Sequence, residues 1–113
     1  MLHCADGYDP LLPRPMSFHR FRDRDGGRQF AILYDVRGRG TAWLAERQPG
    51  AELTAFGPLG KGSAVSSQSQ NLLLVAGGLG VAAVVALAEE AVAAGQAVTL
   101  LQGARNAAKL FPA

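Results

Sequence analysis

The sequence predicts a chain of mixed class, β followed by α/β, in which an antiparallel β segment leads into the first βαβ unit of a parallel sheet. Three observations predict it. Residues 28–36 alternate, with Phe30, Ile32, Tyr34 and Val36 on one face of a strand and Gln29, Ala31, Leu33, Asp35 and Arg37 on the other. Residues 71–76 form instead a continuous apolar run, the mark of a buried strand, followed by an alanine-rich helix and a second apolar strand. Between the two patterns, residues 63–70 are rich in serine and glutamine, with Val65 their only large apolar side chain, so they are read as a linker.

Taken in order, Gly7, Pro10, Pro13 and Pro15 exclude a helix from residues 6–15 and predict an extended, turning connection. Residues 15–22 and 28–36 then flank Asp25-Gly26-Gly27, whose glycines supply the positive φ of a hairpin turn. Gly38-Arg39-Gly40 ends the second strand, and Thr41 is expected to cap a short helix through Arg47 by accepting a hydrogen bond from the first turn. Pro49-Gly50 stops that helix, and a further strand is expected over 52–56. It runs into Gly57-Pro58-Leu59-Gly60-Lys61-Gly62, too rich in glycine for a regular element and read as a tight loop. Strand 71–76, helix 79–94 with Glu89 and Glu90 on its wet side, and strand 97–101 complete a βαβ unit with parallel strands and a right-handed crossover. Lys109-Leu110-Phe111-Pro112 either opens another helix or frays.

Composition removes several classes of function. Of the 113 residues 49% are hydrophobic and 18% charged, which is globular and far from disorder. The net charge is +2, and the nine arginines are interleaved with acids, as in Arg22-Asp23-Arg24-Asp25, so no basic stripe exists for nucleic acid. Cys4 is the only cysteine, which excludes an internal disulfide and a four-thiolate iron–sulfur or zinc site built from this chain alone. His3 and His19 have no second ligand at metal spacing and are read as structural or surface residues, so no metal site is expected. No serine occupies a strand–turn–helix elbow, and no catalytic side chain is assigned. Residues 72–88 carry no charge for 17 residues, close to the ~20 of a membrane span, but Gly77, Gly78 and Gly80 divide them into strand, turn and helix. The first residues lack the ordered parts of a signal peptide, and a cytoplasmic protein with no membrane partner is expected.

The strongest local chemistry lies at Ala76-Gly77-Gly78-Leu79-Gly80-Val81, where a strand turns into a helix. Glycines there let backbone N–H groups face an anion, and the helix N-terminus adds about half a positive charge, which suits a pyrophosphate. The six-residue dinucleotide fingerprint is incomplete, since Ala83 stands at its last glycine and no acid ends the second strand to bind a ribose hydroxyl. Glycines used only for close strand–helix packing are the other reading. Arg14, in Pro13-Arg14-Pro15-Met16-Ser17, is stiffened by its neighbours and suited to bidentate pairing with a phosphate; a solvated loop arginine is its alternative. Gly38, Gly40 and Thr41 make either a second anion cradle or an ordinary capped turn, and Tyr34 either packs or lines a cofactor.

The order Arg14-Pro15-Met16-Ser17, then Leu33-Tyr34-Asp35-Val36 with Gly38-Arg39-Gly40-Thr41, then Gly57-Pro58-Leu59-Gly60 and Ala76-Gly77-Gly78-Leu79-Gly80-Val81-Ala82 resembles the ferredoxin-reductase-like flavoproteins. Within them it is most similar to the electron-transfer subunits of dihydroorotate dehydrogenase B, on the strength of the Arg-Pro-x-Ser element and the Gly-Pro-Leu-Gly loop. The resemblance covers nearly the whole chain. It implies a partial antiparallel FAD-binding β-barrel over 1–65, incomplete at its N-terminus, and the N-terminal portion of an NAD-binding α/β domain over 66–113.

It also implies roles. Arg14, Pro15, Met16 and Ser17 would hold the FAD, with Arg14 at its phosphates and the Met16–Ser17 backbone near the isoalloxazine ring, and Leu33, Tyr34, Asp35 and Val36 would run along the ribityl and phosphate portion. Gly40 and Thr41 would donate to the pyrophosphate. Gly77, Gly78 and Gly80 would face NAD, with Gly103 and Arg105 near its ribose. Family members pass electrons between NAD, FAD and a 2Fe–2S cluster, and so to the dihydroorotate dehydrogenase catalytic subunit, in a heterotetramer of pyrimidine biosynthesis.

Family members have additional barrel strands before the position of Met1 and continue past Ala113 to a cysteine cluster, so the chain is expected to be a fragment. Ser63 replaces a phenylalanine after the Gly-Pro-Leu-Gly loop, and Ala83 a proline after the glycine turn. Two other readings stay open: a remnant unable to bind flavin, and a reductase subunit of the hydrogenase or sulfide dehydrogenase type.

Overall fold

The computed structural model describes residues 1–9, 11–24 and 26–111. Pro10 of the proline-rich connection, Asp25 of the hairpin turn and Pro112 of the terminal segment lie outside the described residues. The chain divides into two units, Met1–Met16 with Tyr34–Lys61, and Ser17–Leu33 with Gly62–Ala113. The hairpin segment is therefore grouped with the βαβ unit, whereas the partition by cofactor was drawn between 65 and 66.

In the first unit the opening residues are held between two neighbours. Leu2 N donates to Arg14 O at 2.8 Å and Arg14 N to Leu2 O at 2.7 Å, while on the other side His3 N donates to Thr54 O at 3.0 Å and Phe56 N to Met1 O at 3.1 Å. The strand expected over 52–56 is reduced to one antiparallel bridge, Leu2 to Ala55. Gly50 and Gly57, at φ of 92° and 153°, turn the chain on either side of it. Helix α1 (Arg39–Ala45) buries Gly40 and Leu44.

Thr41 is not the cap residue of α1. Gly38 is the N-cap, and it has no side chain to offer. Thr41, at the third helical position, reaches back instead, its Oγ1 accepting from Arg37 N at 2.9 Å and from Gly38 N at 3.1 Å.

In the second unit, β1 (Arg20–Arg24) and β2 (Gly27–Ala31) form the expected antiparallel hairpin, with Arg24 opposite Gly27 and Phe21 opposite Phe30. Gly26 and Gly27 sit at φ of 134° and 126°, open to glycine and strained for other residues. Phe18 packs against both Phe21 and Phe30, ring centroids 4.9 and 5.1 Å apart. β2 ends at Ala31, not at Val36, because the ladder stops at Arg20–Ala31 and the later alternating residues have no strand to pair with.

The βαβ unit is β3 (Asn71–Gly77), a 3₁₀ turn (Gly78–Gly80), α2 (Val81–Ala93) and β4 (Ala97–Gly103). β3 and β4 pair in parallel, from Asn71 opposite Ala97 to Gly77 opposite Gly103. Ala76, Val81 and Val85 form the buried cluster, with Leu33, Val84 and Phe111 packed on it. The continuous apolar run does not make a strand covered on both faces: Leu74 and Ala76 are buried, while Leu73, Val75 and Leu101 are 61, 70 and 53% exposed. A single helix covers one side of a sheet.

The serine- and glutamine-rich stretch is tied to this unit, since Gln96 Nε2 donates to Ser66 O at 3.1 Å and Ser69 O at 2.6 Å, and Ala97 N to Gln70 O at 2.8 Å. Among the described residues no helix is long and apolar enough to cross a membrane.

Replacing Val85 with Ala, which opens a cavity beside Ala76 and Val81, is expected to lower the unfolding free energy by about 1–3 kcal/mol. Val75→Thr on the bare face is expected to change it by about 0.5 kcal/mol or less. Denaturant unfolding of the two variants checks the contrast.

Candidate functional site

The glycines of the second unit gather at one edge. Because β3 and β4 run parallel and in register, their carboxyl ends meet as Gly77 beside Gly103. The chain leaves β3 through Gly78, whose φ of 50° favours glycine, and enters α2 after Gly80. A Cβ built at Gly77, Gly78, Gly80 or Gly103 meets no atom within 4 Å. These glycines are thus not spent on close strand–helix packing, and the edge is open.

No side chain caps α2 and its first turn carries no acid, and the 3₁₀ turn before it gives the N–H groups at the start of the helix Gly78 O and Leu79 O as partners, so the glycine turn itself is the part of this edge that a ligand would meet, at the place where open α/β sheets receive ligands. Leu79 and Arg105 flank the edge and are exposed.

The first unit brings Arg14 against Gly40. A Cβ at Gly40 would stand 2.9 Å from Arg14 Nε and 3.4 Å from Cys4 Cβ, so a larger residue there would force the half-buried arginine to shift from its place beside α1. Asp35 forms a 3.0 Å ion pair with Arg37, whose side chain is solvated, and such pairs contribute little. Tyr34 and Met16 are half-buried, and Pro15 and Val36 are exposed. Ser17 and Leu33 fall in the second unit, where Leu33 packs on the Ala76, Val81 and Val85 cluster.

Three features went unread in the sequence. Trp43 Nε1 donates to Asp6 Oδ2 at 2.9 Å, Arg47 lies 4.2 Å over the Trp43 ring, and Arg39 pairs with Asp9, which together fasten residues 6–9 to α1. Cys4 is buried; desolvation pushes its thiol above the ordinary value, and the nearby Arg14 charge opposes this more weakly. His19 is buried, with Nδ1 3.3 Å from Ala82 O. Spacing gives no signal for the bonds from residues 6–9 to α1 or for that of His19 to Ala82, whose partners are distant in sequence, whereas Trp43 and Arg47 are only four residues apart. Among the described residues no group of three or more His, Cys, Asp or Glu side chains is placed to hold a metal.

An antiparallel hairpin, a short helix and a parallel βαβ unit that ends on paired glycines define a protein of mixed β and α/β class. No protein-family description and no solved structure matches the chain. Among curated proteins, it is 35% identical over 105 residues to the dihydroorotate dehydrogenase B (NAD(+)) electron transfer subunit of Desulforamulus reducens, covering 93% of this chain and 39% of that protein. The proteins of the same name from Bacillus caldolyticus and Geobacillus thermodenitrificans are 37 and 36% identical, over 95 and 97% of this chain and 42 and 43% of their own lengths. Over this stretch the chain is similar to dihydroorotate dehydrogenase B electron transfer subunits, and it spans about two fifths of the length of the relatives it matches.

The buried thiol has a pH consequence. Its pKa is raised in the folded state above the ordinary 9.0, so the stability it confers is fully present below about pH 9 and is lost as pH rises toward the raised value. Denaturant unfolding across alkaline pH is expected to show a decline for the parent chain that is shallower in Cys4→Ala.

Proposed function

We propose that this chain is the flavin- and nicotinamide-binding segment of an electron-transfer subunit, passing electrons between NAD and FAD in a complex that oxidises dihydroorotate for pyrimidine biosynthesis. The observation that carries the reading is the open glycine edge at the ends of β3 and β4, in a chain whose relatives are named electron transfer subunits of an NAD(+)-linked dehydrogenase. The vacant Cβ positions at Gly77, Gly78, Gly80 and Gly103 fit close approach of a dinucleotide backbone. The contact of Arg14 with Gly40 fits a guanidinium held ready for phosphate.

When bound, FAD and NAD supply the redox chemistry, and the chain supplies position and electrostatics. In the first unit, Arg14 would neutralise phosphate charge, Pro15 and Met16 would help to hold the FAD with the Met16 backbone near the flavin ring, and Tyr34, Asp35 and Val36 would follow the ribityl and phosphate portion. Gly40 and Thr41 present backbone N–H groups to the pyrophosphate. Ser17 and Leu33, which the resemblance also assigns to FAD, fall in the other unit. Gly77, Gly78 and Gly80 direct N–H groups at NAD, and Gly103 and Arg105 meet its ribose.

The residues present do not fit a 2Fe–2S cluster, because the chain has one cysteine and it is buried. Electrons that leave FAD for a catalytic subunit of dihydroorotate dehydrogenase would need ligands from elsewhere in a cytoplasmic heterotetramer. The ligand-based division, FAD over 1–65 and NAD over 66–113, is part of the same proposal.

Reconstitution with FAD tests it. The parent chain is expected to acquire flavin absorbance, and Arg14→Ala to weaken FAD binding by about 1.5–3 kcal/mol, the range for a charged hydrogen bond. Colourless protein after reconstitution would overturn the proposal and leave the remnant reading. Gly78→Val, strained at a φ of 50° and filling the open edge, is expected to abolish NADH binding while FAD affinity holds.

A further inference from the structure

We infer that His19 is a positioning residue that fixes the first turn of α2, and with it the glycine edge, for the dinucleotide; the inference rests on the nicotinamide reading above. His19 is 4% exposed. Its backbone N–H donates to Ala31 O at 2.8 Å, extending the hairpin ladder by one bond. Its ring reaches from there to Ala82, two residues beyond Gly80, with Nδ1 3.3 Å from the carbonyl oxygen. A carbonyl only accepts, so the proton is assigned to Nδ1. Nε2 is buried with no partner among the described residues, and the ring edge meets Phe111 at 4.9 Å.

This arrangement is a poor choice for filling space. A buried acceptor left without a donor is costly, and phenylalanine or leucine would pack against Phe111 without that cost. What histidine adds is the single bond to Ala82.

That bond is one of two tethers from β1 and the residue before it to α2. The other is ionic: Arg20 and Arg22 meet Glu89 at 3.2 and 3.4 Å. Glu89 lies about two turns further along the helix, and its pairs are partly exposed and screened by salt. The His19 bond is buried, is little affected by ionic strength, and acts at the end of α2 that the glycines adjoin.

The test compares the parent 113-residue chain with His19→Phe, which keeps an apolar ring and loses the donor, and His19→Asn, whose amide N–H reaches the place of Nδ1. Amide hydrogen exchange over residues 78–86 is expected to be about threefold to tenfold faster in H19F and restored in H19N, the size of one hydrogen bond. Exchange over residues 98–101 of β4 stays at the parent rate. NADH titrated into each chain is expected to lose affinity by the same factor in H19F and recover it in H19N. His19→Leu carries the same expectation should H19F not fold.

Parent-like exchange over 78–86 in H19F, or equally fast exchange in H19N and H19F, overturns the inference. A parent chain that binds no NADH overturns the nicotinamide reading instead, while the exchange comparison still decides whether His19 orders the turn.

Discussion

Two strands that run parallel cannot be joined by a tight turn; their connection must return from the carboxyl end of one to the amino end of the other. Asn71–Gly77 and Ala97–Gly103 have seven residues each, about 23 Å of strand at ~3.3 Å per residue. The 13 residues of α2 give about 20 Å at 1.5 Å per residue, a near match. The helix must therefore start where both strands end. That requirement, rather than any property of the individual glycines, is what sets Gly77, Gly78 and Gly80 beside Gly103 and starts the helix at the same edge.

Covering the sheet with one helix leaves α2 free to slide or roll unless something else grips it. Apolar packing of Val81 and Val85 on Ala76 resists separation but is non-directional. Direction comes from the hairpin side, through polar contacts that fix rotation. The first unit solves a comparable problem by main-chain bonding: Arg14 lies beside Gly40 because its own N–H and C=O are both held by Leu2. In each unit, a side chain of chemical interest is aimed by backbone groups distant in sequence.

Elements whose determinant is local are legible in the sequence. A turn built on Gly26 and Gly27, a helix stopped before Gly95, and a strand that breaks at Gly77 are properties of a few adjacent residues. Features that a distant partner decides are not legible. The alternation of residues 28–36 is a correct strand pattern, but pairing ends at Ala31. The apolar run 71–76 does not reveal that only one of its faces is covered. Thr41 was read as a cap, and its hydroxyl does satisfy helix-start N–H groups, but from inside the helix. Of the site, the residue types at the glycine edge and at Arg14 were legible; the pairing of Gly77 with Gly103 followed only once strand register was known, and His19, with a partner 63 residues away, left no trace in spacing.

The placement of the chromophores is lopsided. The one tryptophan, Trp43, both tyrosines, Tyr8 and Tyr34, and the one thiol, Cys4, all lie in the unit formed by Met1–Met16 and Tyr34–Lys61. The other unit has phenylalanine as its only aromatic residue type besides His19. Intrinsic fluorescence, absorbance near 280 nm and thiol titration consequently sample one half of the chain, and the βαβ half is optically silent in all three. A melting curve followed by tryptophan emission is a curve for the arginine-bearing unit, and the glycine edge could come apart beneath it without a visible step.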